Sequence, residues 1–143
     1  MAGAAQAARV LRPGGRLAVF WNSFLLPPGL GEAFAEAYRR VLPDGPMAPR
    51  GFPGPDMYAL MCDKAADGMR QAGRFSEPEQ WRFDWERLYT RDEWLDVLPT
   101  FGGGHGLPPD TLRELLAGMG AAVDAVGGSF TMGYATMVST STR

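Results

Sequence analysis

The chain has 143 residues, 45% of them apolar and 21% charged, with a formal net charge of -2. That length suits one domain with enough apolar mass for a core, and the low net charge with aromatic residues throughout excludes wholesale disorder. The 14 basic residues nearly balance the 16 acidic ones and form no stripe, so no nucleic-acid footprint is present. Lys64 is the only lysine among them, a bias that GC-rich coding imposes, so the arginines are not read as phosphate clamps. Cys62 and His105 each stand alone, which excludes an internal disulfide and Cys- or His-based metal clusters. No run approaches the roughly 20 apolar residues of a membrane span. The N-terminus lacks a charged region followed by an apolar stretch, so a cytoplasmic protein is expected.

In chain order, the Ala-rich segment from Met1 to Leu11 reads as a helix. It must stop at Pro13-Gly14-Gly15, because proline cannot continue a helix and glycine permits a tight turn. Arg16 to Trp21 follows as a short, almost continuously apolar strand, a pattern expected of burial on both faces. A proline-rich stretch from Leu26 to Leu30 precedes a helix over Glu32 to Leu42, with Phe34, Tyr38 and Val41 at helical spacing. Pro43 to Pro55 is a loop with five prolines, long enough for a lid or flap. Asp56 is a candidate cap for a helix that ends near Ala72, with Gly73 beyond it.

From Gln80 to Leu88 the sequence alternates, with Trp81, Phe83 and Trp85 on one side and Arg82, Asp84 and Glu86 on the other. This predicts a half-buried strand. Thr90 and Glu93 are spaced as a capping box for a helix carrying Trp94, Leu95 and Leu98. After a loop from Pro99 to Gly106, the positions Leu112, Leu115, Leu116, Met119, Val123 and Val126 predict an amphipathic helix over Pro109 to Val126. Gly127-Gly128 ends it, and Ser129 to Ser139 reads as a last strand.

The most specific segment is Ala7 to Phe20, which contains Arg9-Val10-Leu11-Arg12-Pro13-Gly14-Gly15 followed by Arg16 and Leu17. It resembles the segment that leads into the fifth strand of class I S-adenosylmethionine-dependent methyltransferases of the small-molecule type. Ala72-Gly73-Arg74-Phe75 resembles the helix end before that family's sixth strand, and Thr90 to Leu95 resembles a helical insertion of one subgroup. The resemblance implies an α/β fold, an incomplete Rossmann-like sheet of fifth, sixth and seventh strands within a single domain over residues 1–143. The last strand, Phe130 to Val138, would run antiparallel between the other two. It implies transfer of a methyl group from S-adenosylmethionine to a small-molecule acceptor in the intact enzyme.

The family's cofactor elements, a Gly-rich turn after the first strand and an acidic residue ending the second, have no counterpart in these residues. The resemblance implies that the chain corresponds to the C-terminal half, and by itself it is expected neither to bind the cofactor tightly nor to transfer a methyl group. Gly102-Gly103-Gly104-His105-Gly106 does not qualify as the cofactor turn, because it follows a helix rather than a strand. His105 is a candidate general base on that loop, weighed against a plain flexible connection.

Trp21 and Asn22 at the end of their strand are candidates for the substrate pocket, since ligands gather at strand carboxyl ends in open α/β sheets. The competing reading is a core tryptophan and a turn asparagine. Tyr89 is a further pocket candidate. Trp81, Phe83 and Trp85 could attract a sulfonium cation, against the plainer reading of a core face. Cys62 is read as a small packed side chain. The other functional reading is a non-enzymatic remnant or small binding module. In either case the exposed edge of the Arg16 to Trp21 strand favours self-association.

Overall fold

The structure is a computed structural model that describes residues 2–45, 54–101 and 106–143. The centre of the proline-rich loop, residues 46–53, and His105 with the glycines before it lie outside the described residues. The elements are α1 (Ala2–Val10), β1 (Arg16–Leu25), α2 (Pro28–Val41), α3 (Pro55–Ala72), β2 (Glu79–Thr90), α4 (Arg91–Val97), α5 (Pro109–Ala125) and β3 (Ser129–Thr142). A short 3-10 turn over Leu98–Thr100 follows α4.

The strands form a sheet ordered β1-β3-β2. Thr136 meets Asn22 and Gly133 meets Leu25 across one boundary. Across the other, Tyr134 meets Trp85 and Phe130 meets Tyr89. Residue numbers rise along one strand as they fall along its neighbour, so β3 is antiparallel to both and β1 and β2 point the same way. The fold is α/β with an open antiparallel sheet of three strands.

The local signals that set these elements are specific. Gly14 takes a positive φ of 76° in the turn that joins α1 to β1, and Gly73 caps α3 at a φ of 64°. Thr90 and Glu93 form the expected capping box in full at the start of α4. Helix α2 begins at Pro28 rather than at Glu32, because proline at the first helical position lacks only an N–H that would have no partner there. Asp56 does not cap α3. Gly54 is the capping residue, Pro55 opens the helix, and Asp56 lies in the first turn, where its charge still favours the helix dipole.

The chain divides into two compact units. The first comprises Met1–Ser23, Gly54–Trp85 and Tyr134–Arg143. In it α1 and α3 pack together, and both meet β1 at Leu17 and Val19 around a cleft of about 320 Å³. Ala8, Cys62, Ala66 and Met69 are its buried helical residues. Side chains alternate along a strand, so α1 and α3 cover only one face of this part of the sheet. The predicted burial of β1 on both faces is therefore not realised: Arg16, Ala18, Phe20 and Asn22 are exposed on the other face.

The second unit comprises Phe24–Pro53 and Glu86–Gly133. Its helices α2 and α5 pack closely, and a Cβ placed on Gly118 would lie 3.1 Å from the Cβ of Ala37. Leu30, Phe34, Ala37 and Tyr38 of α2, with Leu115, Met119 and Val123 of α5, provide buried faces at helical spacing. At the centre is Trp94 of α4, fully buried and surrounded by the rings of Phe24, Phe34, Tyr89, Phe101 and Phe130.

Candidate functional site

The most distinctive surface lies on the first unit, on the sheet face away from α1 and α3. Phe20 of β1 is 65% exposed, and Trp81, Phe83 and Trp85 of β2 are between 41% and 55% exposed. Alternation along β2 sets these three on one side and Arg82 and Asp84 on the other, as the sequence predicts. The predicted burial of that aromatic side does not follow. β2 is an outer strand, and every residue from Glu79 to Leu88 is exposed. Alternation reports that a strand has two chemically different faces, not that something lies on the apolar one.

Between the two outer strands, β3 supplies a floor of Tyr134, Thr136, Val138 and Thr140. A polar ladder crosses it. The indole N–H of Trp85 donates to Thr136 Oγ1 over 2.8 Å, and the Thr136 hydroxyl donates to Asn22 Oδ1 over 2.8 Å. Trp85 also lies flat on Tyr134, with ring centroids 4.1 Å apart and an interplanar angle of 8°. This stack leaves Tyr134 only 4% exposed. At the other end, Arg16 donates to Thr140 Oγ1, sits 3.7 Å from a Glu79 carboxylate oxygen, and lies over the Trp81 ring at 5.5 Å. The result is a shallow tray with exposed aromatic edges, whose floor at Tyr134, Val138 and Thr140 is buried beneath the edge side chains, with an ion pair at one end and a hydrogen-bonded ladder at the other.

The tray presents flat apolar ring faces and a few fixed donors and acceptors, and none of its described residues pairs a nucleophile with a base. Among the described residues, no three metal-ligating side chains cluster. Cys62 is a buried thiol on α3. Burial, reinforced by the neighbouring Asp63 carboxylate, pushes its pKa up, so it stays a protonated, unreactive packing group.

The four candidate pocket residues separate. Trp21 and Asn22 lie on β1 in the first unit, but they do not end their strand, which continues to Leu25. They point to opposite faces, so only Asn22 belongs to the tray, where it terminates the ladder. Tyr89 is in the second unit, 4% exposed, stacked against Phe130 and set edge-on to Trp94, with the Arg87 guanidinium over its ring at 4.5 Å. That is a core environment. His105 lies outside the described residues.

Sequence reasoning missed Phe20 and Thr136. Phe20 was taken as part of a doubly buried run, and Thr136 carried no signal beyond β-propensity. Its role follows only from the pairing that puts it between Asn22 and Trp85.

The glycines bear on the cofactor question. Among the described residues, those with positive φ are Gly14, Gly73, Gly106, Gly127 and Gly128. Gly14, Gly73 and the Gly127-Gly128 pair follow helices, and Gly106 stands in the loop before α5. The strand-to-helix junctions use Leu26-Pro27 after β1 and Thr90 after β2. A glycine turn that brings backbone close to a nucleotide cofactor belongs at such a junction. Neither of these two strand-to-helix junctions carries a positive-φ glycine.

No protein-family model matches the sequence, and no curated protein matches it significantly. No helix among the described residues is long and apolar enough to cross a membrane.

Proposed function

We propose that this chain forms the C-terminal part of a class I S-adenosylmethionine-dependent methyltransferase acting on a small molecule in the cytoplasm. The observation that carries this reading is the segment Ala7 to Phe20, whose helix, Pro-Gly-Gly turn and strand run in the expected order. The sheet order β1-β3-β2, with an antiparallel strand between two that run alike, supports a Rossmann-like arrangement of fifth, seventh and sixth strands.

In such an enzyme the cofactor supplies an activated methyl group, and alignment of the acceptor's nucleophile contributes most of what the protein adds. The family's cofactor elements belong to the first half of the fold, so the contribution of these residues under this reading is the sheet and one wall of an acceptor site near Asn22. The experiment is to read the coding DNA upstream of the Met1 codon in all frames. A strand, Gly-rich turn and helix in frame is the expected result, and an unrelated domain there overturns the reading. Calorimetry of the 143-residue chain with S-adenosylhomocysteine should show no binding heat.

The exposed tray favours a second reading, a binding module without enzymatic activity. Quenching of Trp81 and Trp85 fluorescence by an apolar aromatic ligand, lost in Phe83→Ser, would support it.

A further inference from the structure

The helix-covered sheet face of the first unit holds the cleft of about 320 Å³ between α1 and α3, a volume that suits a small organic molecule. Leu17 and Val19 of β1 and Met69 of α3 make it apolar, and no aromatic ring lines it. Gly3 and Gly68 widen it, since a Cβ built on either would meet no atom within 4 Å outside its own stretch of helix. Gly68 lies inside α3, where glycine weakens a helix relative to alanine, and no close packing requires it there. Walls and floor all belong to α1, α3 and β1. A further strand beside β1 would extend the sheet in its own plane and would not enter between two helices on its face.

One charge stands at this cleft. Lys64 of α3 lines it, is exposed, and is the chain's only lysine. The nearby carboxylates of the same helix are engaged elsewhere: Asp63 accepts from Gln80 Nε2 over 2.8 Å, and Asp67 pairs with Arg70 at 2.9 Å. Among the described residues Lys64 itself forms no ion pair.

We propose that this cleft binds a small aliphatic carboxylate, its alkyl chain against Leu17, Val19 and Met69 and its carboxylate on the Lys64 ammonium. The chain gains by leaving water, and a lining without rings offers an aromatic ligand nothing to stack on. One ammonium with two carboxylates nearby suits a single negative charge and disfavours a polyphosphate. The site is distinct from the acceptor wall near Asn22, because Leu17 and Val19 point to the opposite face of β1 from Asn22.

The test uses the full 143-residue chain, its lysine reductively dimethylated with carbon-13, which keeps the positive charge. Apart from the α-amino group, Lys64 then gives the only labelled NMR signal. Octanoate should move this signal saturably, and acetate at the same concentration should not. In calorimetry on the unlabelled chain, Lys64→Met should weaken octanoate binding about tenfold and leave the weaker binding of octan-1-ol unchanged. Gly68→Leu should abolish binding of both by filling the cleft. Both variants should keep the wild-type circular dichroism, because Lys64 is exposed and leucine favours a helix over glycine. Lys64→Met decides the matter alone should Gly68→Leu disturb the fold.

Absence of octanoate binding overturns the proposal, and so does a shift with acetate as large as that with octanoate. Binding that survives a folded Gly68→Leu also overturns it and points to the tray. Octanoate affinity unchanged in Lys64→Met, or matched by octan-1-ol, overturns the assignment of a carboxylate. None of these outcomes bears on the methyltransferase reading, which rests on the upstream sequence.

Discussion

Two sets of aromatic side chains share this chain and meet opposite fates. In the second unit, Trp94 is closed in by Phe24, Phe34, Tyr89, Phe101 and Phe130, and its exposure is nil. In the first unit, Phe20, Trp81, Phe83 and Trp85 remain open on a bare sheet face. The residue types are the same, so hydrophobicity does not account for the difference. What differs is the supply of helices. The second unit has α2, α4 and α5 to set against its part of the sheet, whereas the first has only α1 and α3, and both lie on the opposite face. An aromatic row is therefore a core where a helix reaches it and a surface where none does.

Trp94→Ala tests the closed set most severely. It removes the ring at the centre of the cluster and should cost about 3–5 kcal/mol in urea unfolding, a large share of a domain's stability. Trp94→Phe should cost clearly less. The indole N–H of Trp94 has no hydrogen-bond partner among the described residues, and the substitution removes that donor. The cap that starts the helix carrying Trp94 comes next. Thr90→Ala breaks the capping box and should cost about 1 kcal/mol in the same measurement.

In the open set, Trp85→Phe keeps the stack on Tyr134 but loses the bond to Thr136, for about 0.5–1.5 kcal/mol. Phe83→Ser should change stability by no more than about 0.5 kcal/mol. A loss for Phe83→Ser as large as that for Trp94→Ala would abolish the distinction between the two regions.

The smallest effect is one of pH. The Glu93 carboxylate accepts from the Thr90 backbone N–H and from its hydroxyl, and these bonds hold its pKa below the usual carboxylate value. A depressed folded-state pKa means that its stabilisation is present above the unfolded-state value and is lost as pH falls through the folded one. Denaturation midpoints should decline across that acidic window, and Glu93→Gln should flatten the decline.

Elements with chemically unique boundary signals were legible in the sequence. Pro13-Gly14-Gly15, Gly73, the Thr90–Glu93 box and the period of α5 each name a local conformation that few other residues could serve. The far end of β1 was not legible. Asn22 and Ser23 are common turn residues, yet both continue the strand because β3 pairs with them, and pairing is a long-range fact. Phe24, which belongs to the Trp94 cluster, was lost with that end.

The covering of β2 was equally invisible, since its alternation is the same whether or not a layer lies above it. Of the candidate site, Asn22 keeps a place in the tray and Tyr89 proves to be core. Sequence reading treated both as residues at strand ends and had no means to separate them.

Three of the four tryptophans give the molecule two contrasting optical signals, with Trp21 half-buried in the first unit. Trp94 sits in a dry cage, so it should emit at short wavelength and resist collision with iodide. Trp81 and Trp85 stand open to solvent and should be quenched readily. Quencher-resolved emission followed through a denaturant titration then reports on the two units separately in one unlabelled sample. It would show directly whether they melt together or one before the other.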